Sequence, residues 1–115
     1  MSAATWIALS LAGGLGAVAR TLATHAANVR LGRAFPFGTL AVNLSGAFAL
    51  GLLSAAGLST AALAICGTGF LGGYTTFSTW MFETHRATRA HAVLNVVAGV
   101  VLGVAAAWLG RTLAG

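Results

Sequence analysis

Four long apolar runs, at about residues 6–22, 38–58, 60–82 and 92–109, most constrain what this chain can fold into. About 20 apolar residues in helical form cross the hydrocarbon core of a bilayer. Four such spans use roughly 80 positions of the 115 present, and the remainder suffices only for short loops. The expectation is an all-α integral membrane protein, with a single four-helix transmembrane domain over residues 1–115. Composition points the same way. The chain is 58% hydrophobic and 6% charged, with a mean hydropathy of +0.92. A soluble domain carries about a quarter charged residues, so too little polar surface exists here to cover a water-facing globule.

The formal charge of +5 arises from six arginines, no lysine and one acid, Glu83. These arginines sit in loops and at span ends, with no basic face and no interleaved aromatics, so nucleic acid is not an expected partner. The first run, Trp6 to Ala19, lacks a basic leader and reaches Arg20 without a small-residue cleavage pattern; it is expected to be a retained span. Cys66 lies within an apolar run, has no second cysteine to pair with, and reads as a small core residue. His25, His85 and His91 lie in or beside connectors without partners at metal-ligand spacing and read as surface residues. No nucleophile–base pair, metal cluster or phosphate loop is visible, so an enzyme is not expected.

Three connectors separate the spans. The first, His25 to Pro36, carries Arg30, Arg33 and the only proline, which suits the mouth of the second helix because its φ is fixed and it lacks an N–H. The second, around Gly57 to Thr60, is short enough to make spans two and three antiparallel neighbours. The third, Glu83 to His91, holds Arg86 and Arg89. Small residues at four-residue spacing, Gly99 with Gly103 and Ala47 with Gly51, predict close helix approach in lipid.

The third run differs from the others. Gly67 to Trp80 combines four glycines with a dense cluster of hydroxyls. A diglycine in a helix interior costs roughly 1 kcal/mol per residue relative to alanine, and a break in lipid leaves backbone groups that need partners. Such a break is tolerated where it lines a cavity or holds an ion: unwound carbonyls suit a cation, and a new helix start suits an anion. The reading is a third helix broken near its middle, with an ion or small-solute pathway between Gly72 and Trp80.

Three motifs resemble the Fluc (CrcB) family of fluoride channels, in order and in spacing. Gly13-Gly14-Leu15-Gly16-Ala17-Val18-Ala19-Arg20 is similar to the family's G-G-x-x-G-A-x-x-R. Phe37-Gly38-Thr39-Leu40-Ala41-Val42-Asn43-Leu44-Ser45-Gly46-Ala47-Phe48 is similar to F-G-T-L-x-V-N-x-x-G-x-F. Gly69 to Trp80 is similar to G-F-x-G-G-x-T-T-F-S-T-F, with Glu83 following at the family's spacing. The resemblance spans the whole chain. It implies a dimer of oppositely oriented subunits in a prokaryotic plasma membrane, with two pores that export fluoride. It further implies a structural Na⁺ at the dimer interface, held by the carbonyls of Gly72 and Thr75, since oxygen donors suit a hard cation. Phe77 and Trp80 match the aromatic positions of the fluoride path, where ring edges carry the positive end of the quadrupole. Asn43 would donate an amide N–H, with hydroxyls from Thr76, Ser78 and Thr79, while Arg20 would concentrate anions near the entrance. Glu83 reads as structural, paired with an arginine at the membrane edge.

The chain departs from the pattern at two places. Trp80 stands where the family usually has a second phenylalanine; its larger ring would narrow the path while its indole N–H adds a donor. The polar track on the fourth span, usually a tyrosine and then a serine one turn on, is replaced by Asn95 and Gly99. The loop charges are also unbalanced. Arg30, Arg33, Arg86 and Arg89 fall on one side and Arg111 on the other, which predicts one orientation with both termini outside. The partner is then either a second copy or a homologous subunit of opposite orientation. Two other readings stand beside the channel. A small multidrug-type four-helix transporter needs a carboxylate in its first span, where this chain has Arg20 instead. A non-conducting subunit of a heterodimeric channel is the other.

Overall fold

The structure, a computed structural model describing residues 1–115, is entirely helical. Helix α1 (Ala3–Leu31) is followed by α2 (Phe37–Ala55). The third span is assembled from pieces: α3 (Thr60–Leu63), a π-helical stretch (Ala64–Leu71), α4 (Gly72–Tyr74) and, after a break, α5 (Ser78–Arg86). Helix α6 (Arg89–Ala114) closes the chain. Helices α1, α2 and α6 are each long and apolar enough to cross a membrane, and the segmented third span completes the expected four.

Only 13 of the 115 residues are buried, so most apolar side chains have no protein to cover them. On α1, Ile7, Leu11, Leu15, Val18 and Leu22 recur at helical spacing and are all exposed. On α6, Val93, Val97, Val100, Val104 and Trp108 form a second such stripe. Patches of this extent are untenable in water and are the surface expected in lipid.

Close backbone approach holds the spans together. A β-carbon on Gly16 would strike the Phe70 carbonyl, and one on Gly73 would strike the Gly13 carbonyl. Helix α1 therefore lies against the first half of the third span at backbone contact, running parallel to it. Helices α2 and α6 pair in the same way, with Gly51 on the Ala107 carbonyl and Gly110 on the Phe48 carbonyl. They too run parallel, since their C-terminal ends meet where Gly115 reaches Ala55. Gly38 against Thr24 and Asn28 sets α2 antiparallel to α1. Spans one and three therefore run one way and spans two and four the other. Both termini share one end with Arg111, and Arg30, Arg33, Arg86 and Arg89 lie at the opposite end.

Several boundaries differ from those read in the sequence. Helix α1 continues to Leu31, so the first connector is only Gly32 to Pro36. Twenty-nine residues make a helix of about 44 Å, longer than the roughly 30 Å hydrocarbon core. The polar turns from Thr24 onward stay helical because they lie beyond the apolar stretch and pack beside α2. Gly32 ends the helix at φ +81°, a conformation that favours glycine. Helix α2 stops at Ala55, before the expected end, and α6 extends beyond its expected run at both ends, over Arg89–Ala114. Cys66 is exposed, on an outward-facing apolar cavity with Ile65 and Phe70, not in the core.

Candidate functional site

The third span breaks, but not at its diglycine. Gly72 and Gly73 remain helical, and the chain turns extended at Thr75 (φ −80°, ψ 159°). Gly73 serves the α1 contact while Gly72 lies on the groove side, and the break is held from α2. The Asn43 amide pairs with the backbone of Thr76 in both directions. Its Nδ2–H donates to the Thr76 carbonyl at 2.9 Å, and the Thr76 N–H donates to Asn43 Oδ1 at 2.8 Å. Thr76 is buried, and its Oγ1 accepts from the Thr79 N–H at 3.2 Å, so Thr76 caps the start of α5. Thr75 Oγ1–H donates back to the Leu71 carbonyl. Every group freed by the break on Thr76 is thereby satisfied, as an interruption inside a membrane requires.

Two cavities meet at this break. One is a groove of about 560 Å³ between α2, the third span and α6, lined by Asn43, Thr75, Thr76, Phe77, Trp80 and Gly103 among others. The second is a cleft of about 380 Å³ between α1, α2 and α5, with no hydrophobic lining at all. Arg20, Arg33, His25, Thr39, Thr76 and Thr79 contribute to it. Thr76 lines both cavities, so the cleft and the groove are neighbours across one residue. Two guanidiniums line the cleft, and the one carboxylate near it, Glu83, is hydrogen-bonded to the cleft residue Thr39, so the lining carries more positive than negative charge.

Phe77 is 71% exposed on the groove and meets Trp80 edge to face, with ring centroids 6.0 Å apart at 82°. The Trp80 indole N–H is already engaged, donating to the Asn95 carbonyl at 3.1 Å. The expected free donor at Trp80 is therefore absent from the groove. Asn95 does not line the groove either: it is fully buried, and its Nδ2–H donates to Thr84 Oγ1 at 2.9 Å. Thr79 faces the polar cleft, whereas Ser78 is exposed and lines neither cavity. Arg20, distant in sequence, is in the cleft that borders Thr76. Arg33 joins it there, a residue the sequence marks only as a loop charge.

Glu83 accepts a hydrogen bond from the buried hydroxyl of Thr39. It pairs with no arginine. Arg86 instead lies over the Phe82 ring, 5.5 Å from its centroid. His91 packs edge-on to Phe35 at 5.6 Å. No group of histidine, cysteine or acidic residues is arranged to hold a metal. The oxygens that the break offers are carbonyls: neither Gly72 nor Thr75 has its carbonyl engaged by a backbone N–H, because the amides that would follow in a regular helix point elsewhere. Gly72 is exposed on the groove side and Thr75 half-buried beside it. Oxygen donors of this kind suit a hard cation.

Comparison with known proteins agrees with this architecture. Residues 7–111 match the family described as "CrcB-like protein, Camphor Resistance (CrcB)". A protein of Mycobacterium tuberculosis named "Fluoride-specific ion channel FluC 2" is 48% identical, over 99% of this chain and 94% of its own length. "Fluoride-specific ion channel FluC 1" of Symbiobacterium thermophilum is 43% identical over 95% of this chain and 96% of its own. "Fluoride-specific ion channel FluC" of Geobacter sulfurreducens is 42% identical over 92% and 93%. These relatives are ion channels, not enzymes. The three continuous apolar helices of this chain, with the segmented third span, fit a multi-pass membrane protein. The chain belongs to the CrcB family.

Proposed function

We propose that this chain forms a fluoride-selective channel in the plasma membrane of a bacterium, working as a dimer of oppositely oriented subunits with two pores. The observation that carries this reading is the sharing of Thr76 by two cavities: an arginine-bearing polar cleft and an aromatic-edged groove lie on either side of it at a helix break. Arg20 and Arg33 would raise the local anion concentration. Fluoride is strongly hydrated, so passage requires replacing its water by several weak contacts. The ring edges of Phe77 and Trp80, the hydroxyls of Thr76 and Thr79, and the second N–H of Asn43 supply such contacts. Ser78 and Asn95, expected on the same path, have a smaller claim to it: one faces outward and the other is sealed inside.

The open groove, with Phe77 exposed on it, supports a second subunit that would cover it. Apposed in opposite orientation, two chains would supply the carbonyls of Gly72 and Thr75 as the oxygens to hold Na⁺. Na⁺ bound there would supply charge and rigidity at the interface, and this chain's part is to hold those oxygens free of backbone partners. Export follows from chemistry. Hydrogen fluoride crosses lipid as a neutral acid and ionises at cytoplasmic pH, and a passive channel lets the trapped anion leave.

Rapid fluoride efflux from proteoliposomes containing only this purified chain, with chloride retained, is the expected result. Absence of efflux from folded, dimeric protein would replace the homodimer by a heterodimer with a homologous subunit of opposite orientation, or by a non-conducting role. The multidrug-type transporter has less support, since Glu83 is the only acid, is engaged with Thr39, and is not carried by the first span.

A further inference from the structure

Trp80 and Gly99 occupy the same space. A β-carbon on Gly99 would lie 2.7 Å from Cε2 and 3.0 Å from Nε1 of the indole. Any side chain at position 99 must therefore displace the ring. One turn earlier on α6, the Asn95 carbonyl accepts the indole Nε1–H at 3.1 Å. The Asn95 side chain donates to Thr84 Oγ1 at 2.9 Å, and the Thr84 hydroxyl donates to the Trp80 carbonyl at 2.8 Å. These three bonds close a ring: indole to Asn95 backbone, Asn95 amide to Thr84, Thr84 to Trp80 backbone. The direction of the amide is fixed by this ring. The Thr84 proton is committed to Trp80, so only an N–H can face it from Asn95. Asn95 Oδ1 is left buried without a partner, an unfavourable arrangement. What the residue contributes is its donor.

We propose that Asn95, Thr84 and Gly99 are positioning residues for Trp80. Gly99 makes the room, and the hydrogen-bonded ring turns the indole N–H into the α5–α6 contact. The indole then presents only C–H to the groove, edge-on to Phe77. The consequence is one of selectivity: a free indole N–H would bind any anion firmly, whereas a ring edge offers a weak contact that a small, tightly hydrated ion can exchange quickly. The functional half of this inference rests on the fluoride-channel reading; the positional half does not.

The test uses the full chain in lipid nanodiscs with ¹⁵N-labelled tryptophan. The Trp80 indole signal is identified by its loss in Trp80→Phe. In the parent it should resist deuterium exchange, and in Gly99→Ser and Thr84→Val it should exchange about tenfold faster or more, the loss of one hydrogen bond. Thr84→Ser should retain protection. In fluoride efflux, Gly99→Ser should slow release with Trp80 present and have little effect in Trp80→Phe, where the smaller ring leaves space. Unchanged indole exchange in Gly99→Ser, or the same slowing in both backgrounds, would overturn the proposal. A parent chain that releases no fluoride would defeat the channel reading instead, and the exchange measurement would still decide where the indole is held.

Discussion

Replacing Asn43 by leucine separates the role of this residue at the break from any role on the ion. The side chain is nearly isosteric, so packing is retained while both hydrogen bonds to Thr76 are lost, at 2.9 and 2.8 Å. Thr76 is only 8% exposed, and each buried backbone group left unpaired costs about 1–3 kcal/mol. Two such groups set an upper bound of about 6 kcal/mol. Because Asn43 borders an open groove, water can partly replace the amide, and about 2–3 kcal/mol is the working figure. At tenfold per 1.4 kcal/mol, the Thr76 amide should exchange with deuterium roughly 30- to 100-fold faster in the variant. Hydrogen-exchange mass spectrometry on peptides spanning residues 74–80 measures this, alongside fluoride efflux on the same preparation. Asn43→Asp should keep the acceptor for the Thr76 N–H, lose the donor to its carbonyl, and reduce efflux further by placing a carboxylate on an anion path. Parental protection at Thr76 in the Asn43→Leu protein would refute the claim that Asn43 holds the break. Reduced efflux with unchanged protection would assign Asn43 to the ion alone.

Two further outcomes follow from the geometry. Gly73→Ala drives a methyl into the Gly13 carbonyl, whereas Gly14 has nothing within 4 Å of its β-position. Gly73→Ala should therefore lower stability by about 1–3 kcal/mol and Gly14→Ala should be neutral or better, as read by reversible unfolding in mixed micelles; equal effects would contradict the parallel α1 contact. Arg33→Gln should slow fluoride release at low ionic strength and approach the parent rate near 0.15 M salt, where the Debye length falls to about 8 Å. A salt-independent defect would point to a structural rather than a steering role.

The spans are legible because hydropathy is a property of each segment alone, and four apolar runs remain four apolar runs whatever packs against them. The end of α1 is less so. Beyond Leu22 the apolar signal stops although the helix continues, and the readable marker is Gly32 with Pro36 just after it, a stop pattern independent of hydropathy. Glycine content places the break in the right span and near its middle, without singling out Thr75 and Thr76. Gly72 and Gly73 have weak helical propensity, yet both stay helical, with α1 packed against Gly73. Thr75 and Thr76 leave the helix because an amide on α2 competes for the Thr76 backbone, and no local window contains that partner. Trp80 and Gly99 illustrate the same limit. Each reads separately as a loss from the family pattern, one a bulkier ring and the other a missing hydroxyl. In space the second accommodates the first.

The distribution of arginine bears on what this chain pairs with. The parallel contacts of α1 with the third span, and of α2 with α6, put both termini at one end with Arg111 and four arginines at the other. Cytoplasmic retention of arginine-rich loops then favours one orientation, with the Arg30–Arg33 and Arg86–Arg89 ends inside. An antiparallel homodimer needs the opposite orientation in comparable amount. Reporters fused to the C-terminus should therefore show it predominantly outside, and Arg86→Gln with Arg89→Gln should move the populations toward parity. Equal populations in the parent chain would remove the argument for a heterologous partner, because the same sequence would then supply both halves of the dimer. A single orientation in the parent would, on the proposed dimer, call for a homologous subunit inserted the other way to cover the groove at Phe77.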